Sequence, residues 1–317
     1  MPPRLVAKWG ALSCNARGIL FILLSALVFS AMGGMIKYVG GELHTFQIVF
    51  FRCLFGLLTL VLFLRGQGWR VYQTRRPWLH ALRVTVGISA MFALFHAVTH
   101  MDLAAAISIT YARPLFMILL AILVLGEVVR WRRGLATLVG FLGVLVVMRP
   151  DPGSLDIDAL AALASAALVA GAMTLVKILS ATDRPLTILM WFATGAVIVS
   201  AGPALMVWRW PEPWTWVLAV LIGAAASLGQ YLAVRAYREG EATLVTPFDY
   251  SQILWATLIG VLVFAEVPDT WTLVGAAIII GSALYIMHRE AQLGRPVPPH
   301  GGDVPGPDPD AGGPATR

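Results

Sequence analysis

The chain has 317 residues, of which 58% are hydrophobic and 13% charged, and a mean hydropathy of +0.79. Soluble domains carry about 25% charged residues, so this composition excludes an ordinary soluble domain and points to a polytopic membrane protein. The net charge of +6 does not argue for nucleic acid, because most arginines fall in short loops between apolar runs.

Residues 1–16 read as a cytoplasmic N-terminus. The first apolar run, GILFILLSALVFSAMGGMIKYV, is long enough to span and lacks an A-x-A cleavage site. It is expected to be a retained helix rather than a signal peptide. Ten apolar segments follow one another: 17–39, 44–65, 77–98, 102–125, 132–149, 157–179, 185–207, 213–236, 241–265 and 270–288. A helix needs about 20 residues to cross the hydrocarbon core. The fifth and tenth segments are short and can sit obliquely. The two cysteines, Cys14 and Cys53, form no CxxC and suggest neither a disulfide nor a metal site.

The positive-inside rule tests this count. With the N-terminus in the cytoplasm, inner segments hold Arg4, Lys8, Arg17, Arg65, Arg70, Arg75, Arg76, Arg130, Arg132, Arg133, Arg184, Arg238, Arg289 and Arg295. Outer loops hold Arg149 and Arg209. Ten spans with both ends inside are therefore expected. Residues 290–317 are rich in Pro, Gly and Asp and read as a disordered cytoplasmic tail.

The chain repeats itself. At a shift of 139, TYARPLFMILLAILVLGE (110–127) falls on DYSQILWATLIGVLVFAE (249–266), matching Tyr111 to Tyr250 and Glu127 to Glu266. Near the same shift, Lys37 meets Lys177 and Pro77-Trp78 meets Pro213-Trp214. Each copy, 17–149 and 157–288, holds five segments. Five is odd, so the second copy must enter the membrane inverted. Inverted repeats are a transporter architecture with substrate sites near the midplane.

Residues 126–150, GEVVRWRRGLATLVGFLGVLVVMRP, and 265–287, AEVPDTWTLVGAAIIIGSALYIM, carry a resemblance. Each copy resembles an EamA domain of the drug/metabolite transporter superfamily: a Glu closing the fourth helix, then a Gly-rich fifth. KYVGGELHTFQIVFFR (37–52) and TPFDYSQILWATLIG (246–260) are similar to a bacterial branch that includes S-adenosylmethionine uptake carriers and riboflavin carriers. The second copy has Ala265 where the family often has Gly. The resemblance implies a ten-helix, all-α carrier of a small organic metabolite in a bacterial inner membrane, working by alternating access.

Charged groups at a helix centre cost about 2.5–3.5 kcal/mol on insertion scales and mark function by default. Asp249 follows Pro247, and Arg113 precedes Pro114 on the matching helix. Proline removes a backbone donor and opens the helix, so both charges sit beside irregular backbone. Two readings stand. Asp249 and Arg113 line a transport cavity, where Asp249 binds a cationic group or carries a proton and Arg113 binds a carboxylate or releases Asp249 on switching. Alternatively they form a structural ion pair. Tyr111 and Tyr250 flank them, and Ser251, Gln252 and Trp255 can join the same wall. Gln230 and Tyr231 on the eighth segment are further candidates. Arg52 either recognises an anion or snorkels. Lys37 and Lys177 are expected to snorkel, and Glu127 and Glu266 to brace the following helix.

No G-x-S-x-G, H-E-x-x-H, Walker A or G-x-G-x-x-G motif occurs, so no enzyme is expected. Gly87-Ile88-Ser89-Ala90 resembles an intramembrane serine protease only faintly, because the final Gly is missing and no dyad His is placed for it. His96 and His100 are four apart, but sequence offers no third ligand, so neither metal nor cofactor is expected. Transport would be gradient-driven or by exchange. The expected partners are a small-molecule substrate and the lipid bilayer, with protons or a counter-substrate as coupling options and no nucleic acid. An exporter on the same fold, a channel and a membrane sensor remain the alternatives.

Overall fold

A computed structural model describes residues 14–63, 69–125, 131–149 and 156–292. Among these residues every regular element is helical and no strand occurs. That follows from the bilayer: with no water to satisfy the backbone, a spanning segment must close its hydrogen bonds on itself.

Among the described residues twelve α-helices run in order: α1 Cys14–Val39, α2 Thr45–Phe63, α3 Pro77–His100, α4 Leu103–Thr110, α5 Arg113–Leu125, α6 Trp131–Met148, α7 Ile157–Ser180, α8 Pro185–Met206, α9 Pro213–Glu239, α10 Ala242–Asp249, α11 Ser251–Phe264 and α12 Thr270–Gln292. A 3-10 turn, Trp69–Tyr72, precedes α3. Among the described residues eight stretches are long and apolar enough to cross a membrane, and Thr45–Val61 and Gly134–Met148 are shorter apolar helices. The fourth and ninth expected segments are each divided, into α4–α5 and α10–α11. The tenth, expected short, reaches Gln292 because the helix continues past its apolar part. Glu127, the N-terminal segment up to residue 13 and the tail beyond residue 292 lie outside the described residues.

Local sequence sets several helix starts. Pro77, Pro185 and Pro213 open α3, α8 and α9, where the missing N–H costs nothing. Asp156 caps α7, accepting from the N–H groups of Asp158 and Ala159 at 3.0 Å each.

Packing runs mainly between the two matched stretches. α1 lies along α9, α3 along α7, α2 against α8, and α6 along α12. Small residues allow these approaches. Ala162, Ala166 and Ala170 are fully buried on α7. At the α6–α12 crossing, a Cβ on Gly275 would stand 2.7 Å from the Gly143 carbonyl oxygen, so the two backbones touch.

The corner after α11 carries strain. Ala265 holds φ 57, in the left-handed region, which costs a residue with a Cβ about 1–2 kcal/mol. The same turn carries Glu266, whose N–H bonds the Gly260 carbonyl at 3.0 Å. Ala265→Gly should therefore stabilise the protein by about 0.5–1 kcal/mol, after allowing for the entropy glycine adds to the unfolded chain. Thermal unfolding in detergent would read this, and a lower midpoint would refute it.

Candidate functional site

The site is built from the two helix breaks. Pro114 has no N–H to offer the preceding turn, and around it the chain tightens to i→i−3 bonds: Tyr111 N–H to Ser108 C=O, Ala112 to Ile109 and Leu115 to Ala112. In the other copy Pro247 lies within α10, and the Ile253 N–H bonds the Tyr250 carbonyl at 3.0 Å. An unbroken helix would have given that N–H to Asp249. The Asp249 carbonyl is thereby released, and the Tyr111 hydroxyl donates to it at 2.8 Å. The break at Tyr111 thus fills a need created by the break at Tyr250.

The two matched tyrosines meet directly, with ring centroids 4.8 Å apart at 41°. Tyr111 is 3% exposed, and its hydroxyl also lies 3.0 Å from Gln252 Oε1. The Arg113 guanidinium sits over the Tyr111 ring at 5.2 Å. Arg113 and Asp249 act on each other electrostatically, yet among the described residues no ion pair within 4.0 Å joins them. Both charges therefore keep hydrogen-bonding capacity for a third group. Trp255 Nε1 and Ser251 Oγ, one turn apart on α11, are buried and make no hydrogen bond among the described residues. The Gln252 backbone is held by Ser30 Oγ of α1 at 3.0 Å.

The structure thus brings together Tyr111, Arg113, Asp249, Tyr250 and Gln252, with Ser251 and Trp255 along the same helix. It adds Tyr237 of α9, which bonds Thr246 and feels the charges of both Asp249 and Arg113. Sequence reading missed Tyr237 because it sits beside Arg238 and Glu239 at a helix end. Gln230 is exposed, seven residues before Tyr237 on α9, and Tyr231 is exposed beside it. Arg52 has separate surroundings: its Nη1 lies 3.5 Å from Met91 Sδ and its Nε is buried without a hydrogen-bond partner among the described residues.

Arg83 was also missed. Its guanidinium stacks on Phe192 at 3.8 Å, with Nε and Nη1 buried and without a hydrogen-bond partner among the described residues. The rule for intramembrane charges covers it, but its place seven residues into α3 made it look like a span-end residue.

Cross-copy links flank the site at both ends of the bundle. At one end Lys37 pairs with Glu266 and donates to the Met101 carbonyl at 2.7 Å, while the Leu103 N–H bonds Glu266 Oε2 at 3.1 Å. Lys37 does not snorkel: its side chain is 12% exposed, because Glu266 and a helix-end carbonyl satisfy its ammonium within the protein. Gln47 bonds both backbone groups of Arg209, at 2.8 and 3.0 Å.

At the other end Asp183, in the α7–α8 turn, receives Thr74 Oγ1 at 2.5 Å, with His80 Nε2 2.6 Å away. Burial acts to raise the Asp183 carboxyl, but the Thr74 and His80 bonds and the Arg76 charge outweigh it and hold it below its ordinary range. Asp183→Asn should lower stability at pH 7 by about 1.5–3 kcal/mol. A lowered carboxyl contributes fully above about pH 4, its unfolded value, and loses that contribution as pH falls through the folded value. The gap between variant and wild type should therefore close below about pH 4. Unfolding midpoints from pH 7 to 3 test this, and equal midpoints at pH 7 would refute it.

Comparison with known proteins adds a family match. A model described as the EamA-like transporter family matches residues 16–149 and 157–288. The S-adenosylmethionine uptake transporter of Rickettsia prowazekii (strain Madrid E) is 29% identical over 280 residues, 88% of this chain and 95% of that one. The riboflavin transporter of Brucella anthropi is 31% identical over 245 residues, 75% and 86% of the two chains. The pseudopaline exporter CntI of Pseudomonas aeruginosa (strain UCBPP-PA14) is 32% identical over 267 residues, 83% and 93%.

Proposed function

The chain belongs to the EamA-like transporter family, and from that premise we propose that it is a secondary carrier for a small organic metabolite with a positive centre, such as S-adenosylmethionine. It is a multi-pass membrane protein and a transporter by family. The proposal adds ten spans arranged as two inverted five-helix repeats, 17–149 and 157–288. It also adds both termini in the cytoplasm, a bacterial inner membrane, and no catalytic activity.

One observation carries the reading. Two matched helices break at matched tyrosines, and the breaks face each other with Asp249 and Arg113 beside them. Irregular backbone at membrane depth is tolerated where it is buried in protein or lines a cavity. Helix pairing supports the repeat: exchanging the copies turns the α1–α9 pair into α7–α3 and returns α6–α12 to itself. The aromatic rings of Tyr111, Tyr250, Tyr237 and Trp255 beside a carboxylate suit a sulfonium or ammonium group. Arg113 suits the carboxylate of the same zwitterion.

Alternating access would make and break the end links in turn. The Lys37–Glu266 end is the outer face in this orientation, and the Asp183–His80 end the inner.

Relatives are named for both uptake and export, so direction is a separate question. The experiment is thermal stability of the purified protein against a metabolite panel that includes S-adenosylmethionine and riboflavin. A ligand at 100 times its Kd adds about 2.7 kcal/mol to the native state. A cationic zwitterion is expected to give the largest shift. Stabilisation by riboflavin alone would move Asp249 from substrate binding to proton coupling. Turnover of a panel compound would indicate an enzyme.

A further inference from the structure

We propose that His96, His100 and Asp158 form a binding site for one divalent transition-metal ion of the zinc type, bridging the two halves of the protein. His96 and His100 lie one turn apart on α3, so they share a face. Their rings stack with centroids 4.1 Å apart at 27°. Asp158 stands in the first turn of α7. One donor atom from each of the three lies within 4.8 Å of the others. Two imidazoles and a carboxylate are a zinc-type ligand set that leaves a position for water.

Three features make this more than a hydrogen-bonded pair. First, His100 Nδ1 lies 2.8 Å from the His96 carbonyl oxygen. In the tautomer that donates Nδ1–H to this carbonyl, the lone pair is left on Nε2; Thr99 Oγ1 also stands 2.9 Å from Nδ1. Metal-bound histidines are oriented in this way. Second, Asp158 is set on a capped helix start, where Asp156 accepts the Asp158 and Ala159 N–H groups. Third, the His96 and Asp158 side chains are 37% and 33% exposed, so an ion reaches them from solution.

His96 Nε2 lies 2.8 Å from Asp158 Oδ1, and a proton bridges them. A metal ion would take that proton's place and release it. Zinc bonds of 2.0–2.2 Å put tetrahedral donors roughly 3.3 Å apart. The three donors stand within 4.8 Å of one another, so binding requires the side chains to rotate inward to that spacing. Because α3 and α7 lie in different matched stretches, the ion would tie the halves at the end of the bundle that also carries Lys37 and Glu266.

The test uses the full-length protein in detergent, purified without a polyhistidine tag and titrated with Co2+ by visible absorption, then with Zn2+ in competition. The expected result is one equivalent of Co2+, displaced by Zn2+, and a thermal midpoint raised by Zn2+. His100→Ala and Asp158→Asn should weaken binding at least about tenfold and remove the Zn2+ shift. The metal-free midpoint of His100→Gln, measured beside wild type, controls for folding. The His96–Asp158 hydrogen bond alone does not need His100. Wild-type affinity in either His100 variant, or a loss below tenfold, therefore overturns the proposal. So does Co2+ uptake by wild type no greater than by a His96→Ala/His100→Ala double variant. None of these readouts depends on transport.

Discussion

Asp249→Asn should reduce substrate uptake into proteoliposomes by about 30- to 150-fold while leaving the protein folded. The side chain stays the same size, and Tyr111 bonds the Asp249 backbone carbonyl rather than its carboxylate, so the break and the tyrosine pair persist. What is lost is the charge. A charge-assisted hydrogen bond is worth about 2–3 kcal/mol, which sets the range through the affinity relation. The pH dependence separates the roles of the carboxylate. If it binds a cationic group, the variant fails at every pH tested and binds the substrate weakly. If it carries a proton, the variant binds normally but loses pH-driven accumulation. Normal uptake, substrate range and pH profile in a folded Asp249→Asn protein would sink both.

Glu266→Gln should cost about 3 kcal/mol of stability, the larger structural effect. The side chains of Lys37 and Glu266 are 12% and 19% exposed, so removing one charge leaves the other poorly solvated. Glu266 also accepts the Leu103 N–H at the start of α4, so the variant loosens the join between α3 and α4 as well. A Lys37→Met/Glu266→Leu double variant should lie closer to wild type than the sum of the single changes, with at least about 1 kcal/mol of coupling. Denaturation of wild type, Lys37→Met, Glu266→Leu and the double variant in one detergent decides this. Strict additivity would mean that the two groups act independently.

The limits of sequence reading are visible at Lys37. Its place near a span end made snorkelling the economical reading, and a single helix in lipid would have favoured it. Its partner lies more than two hundred residues away, on a corner held by a left-handed Ala265. Arg83 shows the same limit: only Phe192, from the other half, reveals that its guanidinium is stacked and buried. The third metal donor, Asp158, could not be joined to His96 and His100 before α7 was packed on α3.

Sequence alone determined the membrane-spanning helical character of this protein, the positions of most helix ends and which two spans break, although the second break falls at Tyr250, three residues beyond Pro247. Those features answer to local causes: apolar length against bilayer thickness, proline at a first turn, proline inside a span, and a capping aspartate. Tertiary structure alone decided which groups meet. Periodicity fixes the faces of one helix, but not the rotation of one helix against another. Only packing through residues such as Gly143 and Gly275 sets those rotations, and with them the meeting of Tyr111 with the released Asp249 carbonyl.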